Sequence, residues 1–366
     1  MAPAVPLVIG LMSGTSLDGV DAVLVDFSSG QARTLATFWQ PYPNAVRRQA
    51  QALQAAQENE IHAAALFGNE LAHCYAEAVR EVLAAAGASA AQVMAIGCHG
   101  QTIRHQPALG YTIQINNPAL LAELAGIAVV ADFRSRDIAA GGQGAPLVPA
   151  FHAAMFGDAQ KHRVILNLGG IANLTDLEPG QAVRGFDCGP GNLLMDAWIE
   201  RHRGSRYDEG GRWAGQGHIL AGLLQKLLTD RFFAVNPPKS CGREEFNLAW
   251  LERHLTGDER PEDIQATLLE LSAVTAIQAI ERWCGKPEEI FVCGGGAHNQ
   301  ALMACLQHHA ANCRVAGTDS LGLAADWVEA VAFAWLAWRT LCNEPGNLPE
   351  VTGARGPRIL GAIYPR

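Results

Sequence analysis

No Cys-x-x-Cys pair occurs among the nine cysteines of this 366-residue chain. Neither a zinc ribbon nor a disulfide framework is therefore indicated, and reduced, mostly buried thiols in a cytoplasmic protein are expected. Charge is also scarce. Asp, Glu, Lys and Arg make up 17% of the residues, the balance is −9, and Lys and Arg form no run. Nucleic-acid binding needs clustered cations and is not expected. The longest apolar run near the C-terminus, Ala330 to Trp338, is too short to span a bilayer. The apolar stretch before Ser13 carries no basic n-region and reads as a first strand rather than a signal peptide. There is no G-x-x-x-x-G-K-[ST] loop and no H-E-x-x-H, and Asp18 stands where a nucleophile elbow starting at Gly14 needs its last glycine. P-loop kinases, zincins and α/β-hydrolases are set aside on these grounds.

What the chain does have is a well-buried composition, 49% hydrophobic, and a length that suits two domains of roughly 100–200 residues. It also has three glycine-rich turns, each after a short apolar run: Gly10-Leu11-Met12-Ser13-Gly14-Thr15-Ser16-Leu17-Asp18-Gly19, Asn167-Leu168-Gly169-Gly170-Ile171-Ala172-Asn173, and Cys293-Gly294-Gly295-Gly296-Ala297-His298-Asn299. Glycine after a strand lets backbone N–H groups converge on one point, which suits phosphate oxygens. Strands are expected at 7–11, 20–27, 33–39, 93–98 and 127–133, with helix over 43–86 and 118–125. The same grammar restarts at Arg163: strands at 164–168, 174–177, 183–186 and 290–293, helices at 192–202, 219–229, 265–283, 300–308 and 327–341. This internal repeat predicts an α/β fold of two similar halves, 1–150 (packed with the C-terminal segment) and 151–366, hinged near Gly144–His162, with ligand in the central cleft between them.

Several side chains admit two readings from sequence alone. Asp187 is either a general base at a strand end or an Asx-turn residue closing Gly189-Pro190. Glu329 shares the apolar face of Phe333 and Leu336, as a sugar-binding acid would. It also fits the third position of a cap begun by Asp326. His99 and Gln101, in a polar turn after a strand, and Arg134, Arg136 and Asp137, after another, are either site residues or ordinary loop polar groups.

Two strand-rich halves with phosphate turns and a late glycine triad resemble the actin, hexokinase and Hsp70-like ATPases, which are built on ribonuclease H-like domains. Within that group the chain resembles the anhydro-N-acetylmuramic acid kinase family along its whole length. The resemblance rests on GCHGQTIRH (97–105), VADFRSRDIAAGGQGAPLVPAF (130–151), GFDCGPGNLLMDAW (185–198), PKSCGREEFN (238–247) and the tail 345–363. It implies ATP and Mg²⁺ as cofactors and a sugar as substrate. Water would open the 1,6-anhydro bridge while the 6-oxygen takes the γ-phosphoryl group. It implies Asp187 as the base, Gly14, Thr15, Ser16, Leu17, Asp18, Gly19, Val20 and Asp21 as the first nucleotide-binding stretch, Gly169, Gly170 and Asn173 as the second, and Gly294, Gly295, Gly296 and Asn299 against adenosine. His99, Gln101, Arg134, Asp137 and Glu329 would contact the sugar, Arg134 matching the lactyl carboxylate. Met12 and Asn167 stand where the wider fold usually carries acids, so the Mg²⁺ ligands are not identified. The sequence is compatible with a homodimer and fixes no oligomeric state. Competing classes are a phosphatase on the same fold, which would not need the glycine triad, and a nucleotide-sensing interaction protein, which would need a client-binding domain.

Overall fold

The computed structural model describes residues 7–14 and 17–366. By compactness the chain divides into Met1–Met155 with Trp327–Arg366, and Phe156–Asp326.

The first unit contains β1 (Leu7–Met12), β2 (Gly19–Asp26), β3 (Arg33–Pro41), β4 (Val93–Cys98), a separate hairpin of β5 (Gln101–Gln106) and β6 (Tyr111–Ile115), and β7 (Val129–Ala131). Its main sheet runs β3-β2-β1-β4-β7 and ends on a C-terminal strand, Ala362–Tyr364, antiparallel to β7. Strand β1 is buried along its whole length, so its sequence is a continuous apolar run rather than an alternation; helices cover both faces. One cover is the Glu60–Ala86 helix, whose Phe67, Leu71, Tyr75, Val79 and Val82 fall on one stripe and join the core with Ile9, Leu11 and Val20. The single helix expected over 43–86 is two, Asn44–Ala52 and Glu60–Ala86, separated by a turn over 53–59 whose last residue, Asn59, is left-handed (φ 57°) and so cannot continue a right-handed helix.

The other cover is the Val328–Leu341 helix, whose residues from Ala330 to Ala337 are all buried. It approaches closely because Gly10 and Gly97, paired across β1 and β4, present no Cβ; one added at either would collide with the carbonyl of Ala330 or Phe333. Phe27 stacks on Trp338 with centroids 4.8 Å apart. This helix, counted with the second half from its place in the chain, is thus built into the first unit. An apolar stripe goes where a sheet face is open, whatever its place in sequence.

The second unit contains β8 (Arg163–Leu168), β9 (Ile171–Leu177), β10 (Arg184–Pro190), β11 (Glu289–Cys293) and β12 (Arg314–Gly317) in the order β10-β9-β8-β11-β12. In both sheets the first three strands form an antiparallel meander, and the first strand then pairs in parallel with the next. The repeat inferred from pattern is therefore a repeat of topology. Both units thus carry the same α/β topology, as the sequence pattern predicts. The Pro261–Trp283 helix is the central core element here, with Leu268, Leu271, Ala276 and Ile280 packed on Val164, Leu166 and Leu174.

Candidate active site

The first turn joins β1 to β2, with Met12 opposite Asp21. Thr15 and Ser16 lie outside the described residues. Around them the turn is held by a polar net. Ser13 Oγ donates to the Gly100 carbonyl at 3.1 Å and lies 2.7 Å from the Tyr75 hydroxyl. Gln101 Nε2 donates to the Gly14 carbonyl at 3.1 Å, and Gln101 Oε1 accepts from the Tyr42 hydroxyl. Gln101 is fully buried, so it braces the first turn. Leu17 takes φ 58° and Asp18 is exposed. Gly19, Val20 and Asp21 already belong to β2, and a Cβ at Gly19 would meet the Gln40 carbonyl.

After β7 the chain enters a short helix, Ser135–Ala139. Arg134 Nε and Nη2 reach His99 Nε2 at 3.2 and 3.0 Å, and Nη1 donates to the Gly144 carbonyl at 2.9 Å. Burial and the adjacent guanidinium push His99 down to about 3, so the ring is neutral and accepts at Nε2. Burial lowers Arg134 to about 10, against the pull of Glu329 and Asp137; it keeps its charge. Glu329 reaches solvent but is hemmed in by protein. Desolvation raises its carboxyl and Arg134 opposes that. The capping alternative for Glu329 is not realised. The Val328–Leu341 helix has no side-chain cap, and Asp326 pairs with His298 at 2.8 Å. Asp137 is fully buried. Its Oδ2 accepts from Gly144 N–H at 2.8 Å, and its Oδ1 from Asn347 and Thr352 at 2.6 and 2.7 Å. Three internal bonds make it a strut that ties the Arg134 loop to the C-terminal segment. Arg136 is exposed.

In the second unit, Gly169-Gly170 is the two-residue turn between β8 and β9. Their carbonyls accept from the N–H groups of Gly191, Asn192 and Leu193 at 2.8–3.1 Å. A Cβ at Gly169 or Gly170 would find nothing nearer than 3.6 Å, so these positions are open to a ligand. In the glycine triad, Gly294 takes φ 78° and Gly296 packs on Leu168, while Gly295 faces open space. Asn299 caps the next helix through the Leu302 N–H at 3.1 Å.

Asn167, Asn173 and Asp187 are in direct register across β8, β9 and β10, so three polar side chains form a row on one face. The expected strand end at Phe186 is in fact a bulge: β10 continues to Pro190, with the register shifting between Asp187 and Gly189, where φ is 137°. Bulges re-aim side chains. The Asp187 carboxylate accepts from Cys241 N–H at 3.0 Å through Oδ2, and its own N–H donates to the Lys239 carbonyl at 3.1 Å. The Asx-turn alternative is thus not realised. Desolvation pushes Asp187 up to about 6; the Cys241 bond opposes this and nearby Glu245 adds to it. A carboxylate near that value is a competent general base close to neutrality.

Sequence reading missed the residues that shape these sites. Tyr42 and Tyr75 carried no signal beyond being aromatic. Lys239 and Cys241 lay inside a block that carried the resemblance but received no role. Asp196, in the first turn of the Leu193–Arg203 helix that follows β10, is pushed up to about 7 by burial and neighbouring acids, with Arg243 opposing.

The sequence profile described as anhydro-N-acetylmuramic acid kinase matches residues 6–366. An anhydro-N-acetylmuramic acid kinase of Nitrosospira multiformis is 58% identical over 359 residues, covering 98% of each chain. One of Thiobacillus denitrificans is 58% identical over 98% of this chain and 96% of its own. Among solved structures, the activator of 2-hydroxyisocaproyl-CoA dehydratase from Clostridium difficile with bound ADPNP aligns over 92% of this chain and 96% of its own at 11% identity, with a TM-score of 0.49. A ROK family glucokinase from Streptomyces griseus aligns over 90% and 98% at 15% identity, with a TM-score of 0.41. Two repeated sheets, open glycine turns and a match that runs from residue 6 to the last residue have one reading: the chain belongs to the anhydro-N-acetylmuramic acid kinase family.

Proposed function

We propose that the chain is a cytoplasmic ATP-dependent kinase that opens 1,6-anhydro-N-acetylmuramic acid with water and phosphorylates its 6-oxygen. The products are N-acetylmuramic acid 6-phosphate and ADP, in peptidoglycan recycling. The observation that carries the reading is Asp187: a carboxylate re-aimed by a bulge, held by one backbone N–H and raised to about 6. In this reading Asp187 takes a proton from water as the water oxygen bonds to the anomeric carbon. The bridge bond from that carbon to the 6-oxygen breaks, and the 6-oxygen bonds to the γ-phosphorus as the bond to the β-phosphate oxygen breaks. Asn167 and Asn173, beside Asp187 in the row, orient the reacting groups. Arg134, its fork fixed by His99 and Gly144, faces the lactyl carboxylate. Glu329 accepts from a sugar hydroxyl.

Gly14, Gly169, Gly170 and Gly295 are assigned to the nucleotide. Among the described residues the two phosphate turns offer backbone groups, the Asn167 and Asn173 amides and the Asp18 and Asp21 carboxylates, with Met12 and Asn167 near the strand ends. That donor set fits a Mg²⁺ that enters on the phosphates of ATP and keeps most of its waters, not one held in a protein cage. When bound, the ion neutralises phosphate charge.

The test is ADP release from Mg-ATP with the purified chain, 1,6-anhydro-N-acetylmuramic acid being compared with glucose and N-acetylglucosamine. Release with the anhydro sugar alone is expected. Equal release with ordinary hexoses, or none with the anhydro sugar, would overturn the assignment.

A further inference from the structure

The second unit holds a cluster that the proposed reaction does not use. Glu270 projects from the Pro261–Trp283 helix, and Cys305 and His309, one helical turn apart, project from the Gln300–His309 helix. One ligating atom from each lies within 4.8 Å of the other two. Cys305 Sγ donates to Glu270 Oε2 at 3.0 Å, and His309 Nε2 lies 2.8 Å from Glu270 Oε1. We propose that Glu270, Cys305 and His309 form a binding site for a borderline-soft divalent cation, Zn²⁺ before all others, that clamps these two helices together.

The donor set argues for this metal class. One sulfur, one imidazole nitrogen and one carboxylate oxygen suit Zn²⁺, and Co²⁺ as its spectroscopic substitute; Mg²⁺ and Ca²⁺ take oxygen. Three protein ligands leave a fourth position for water. Placement argues for it as well. The Glu270 and His309 side chains are 15% and 28% exposed, sheltered enough to hold an ion and open enough to admit one. Without metal, the two hydrogen bonds already aim all three groups at one another, so little ordering remains for binding to cost. Zinc needs about 2.3 Å to sulfur and about 2.0–2.2 Å to nitrogen and oxygen, which the cluster reaches by opening its two hydrogen-bonded pairs slightly. On binding, the Cys305 thiol gives its proton to solvent and coordinates as thiolate. His309 coordinates through Nε2 with its hydrogen on Nδ1.

A second cluster, His162, Asp176 and Glu178, shows why composition alone is not enough. Asp176 there already carries a fixed cation, since Arg184 binds its Oδ2 through Nη2 and Nε at 2.6 and 3.2 Å. Among the ion pairs of the described residues Glu270 has no Lys or Arg partner.

The clamp would also matter to the nucleotide site. The Gln300–His309 helix begins at Asn299, directly after the glycine triad, so an ion fixing its C-terminal half would steady the turn at its N-terminus.

The test is a Co²⁺ titration of metal-free protein, watched for thiolate-to-cobalt charge-transfer absorption in the near ultraviolet and tetrahedral d–d bands in the visible, followed by Zn²⁺ displacement. One equivalent of each is expected. Cys305→Ser should abolish the charge-transfer band, and His309→Ala should weaken Co²⁺ binding by at least about tenfold, a loss found even for groups that merely support a metal ligand. Zn²⁺ should raise the melting temperature of the wild type and not of Cys305→Ser. Cys342→Ser, at an exposed cysteine, should change none of this. A wild-type titration without a charge-transfer band, or a band that survives in Cys305→Ser, would leave the cluster a hydrogen-bond network and overturn the proposal.

Discussion

The two sheets share strand order and pairing, yet the rows of side chains beside their parallel pairs differ completely. In the second sheet Asn167, level with Cys293 on β11, continues through Asn173 to Asp187. In the first sheet Leu11, level with Cys98 on β4, continues through Ala22 to Phe38. One row is polar and presents an acid raised to about 6; the other is apolar, with Leu11 and Ala22 buried. The two sheets share a scaffold and differ in the side chains they carry at this level. The first unit's polar groups sit instead on the loop after β7 and on the Val328–Leu341 helix. The contrast is sharpest between two acids. Asp137 accepts three hydrogen bonds from within the first unit, and Asp187 accepts one from Cys241.

The largest effect should come from Asp187→Asn. An amide cannot take the proton from water, so kcat should fall by about 10²–10⁴-fold while the Kd for ATP hardly moves. A variant keeping more than about a tenth of wild-type kcat would break the contrast, because the working base would lie elsewhere. Next, Asp137→Ala should cost stability in the first unit by roughly 3 kcal/mol, since it leaves Asn347, Thr352 and the Gly144 N–H without their buried acceptor. Chemical denaturation reads this directly; an unchanged midpoint would mean the strut assignment is wrong.

The pH dependence follows Asp187. With Asp187 at about 6, kcat/KM should fall about tenfold per pH unit below that value and level off above it. Its pKa is raised, so the stability it contributes is fully present below the unfolded value of 3.8 and is lost as pH rises through about 6. Asp187→Asn should therefore be at least as stable as wild type at pH 8. Thermal melts at pH 5 and 8 test this, and a variant clearly less stable at pH 8 would contradict it. The smallest effect is expected at the brace of the first turn. Tyr75→Phe removes the partner of Ser13 Oγ, worth about 1 kcal/mol, and should raise the KM for ATP several-fold with kcat little changed. Equal loss in kcat would place Tyr75 nearer the chemistry.

Much of the fold was legible because its signals are local. Apolar runs ending in glycine turns marked β1, β8 and β11, and Pro118 marked the start of the Pro118–Ala125 helix. The short strands escaped: the β5–β6 hairpin, β12 and the C-terminal strand carry little apolar pattern and exist through pairing with distant partners. Glu329 was legible as an acid on an apolar face, and packing of the C-terminal segment with the first half was expected; the close approach that Gly10 and Gly97 allow its helix is announced by no local pattern. For Asp187 and Asp137 the residue type was legible and the role was not. Hydrogen-bond partners 54 and 215 residues away, Cys241 and Thr352, decide which acid keeps an acceptor to use.

In the proposed reaction water, activated by Asp187, attacks the anomeric carbon while the sugar's own oxygen takes the phosphoryl group. A single turnover in ¹⁸O-water, with product incubated in ¹⁸O-water as the control for anomeric exchange, tests it most directly. Label is expected on the anomeric hydroxyl beyond the control and none in the phosphate. Label in the phosphate would mean that water attacks phosphorus, and would contradict the account.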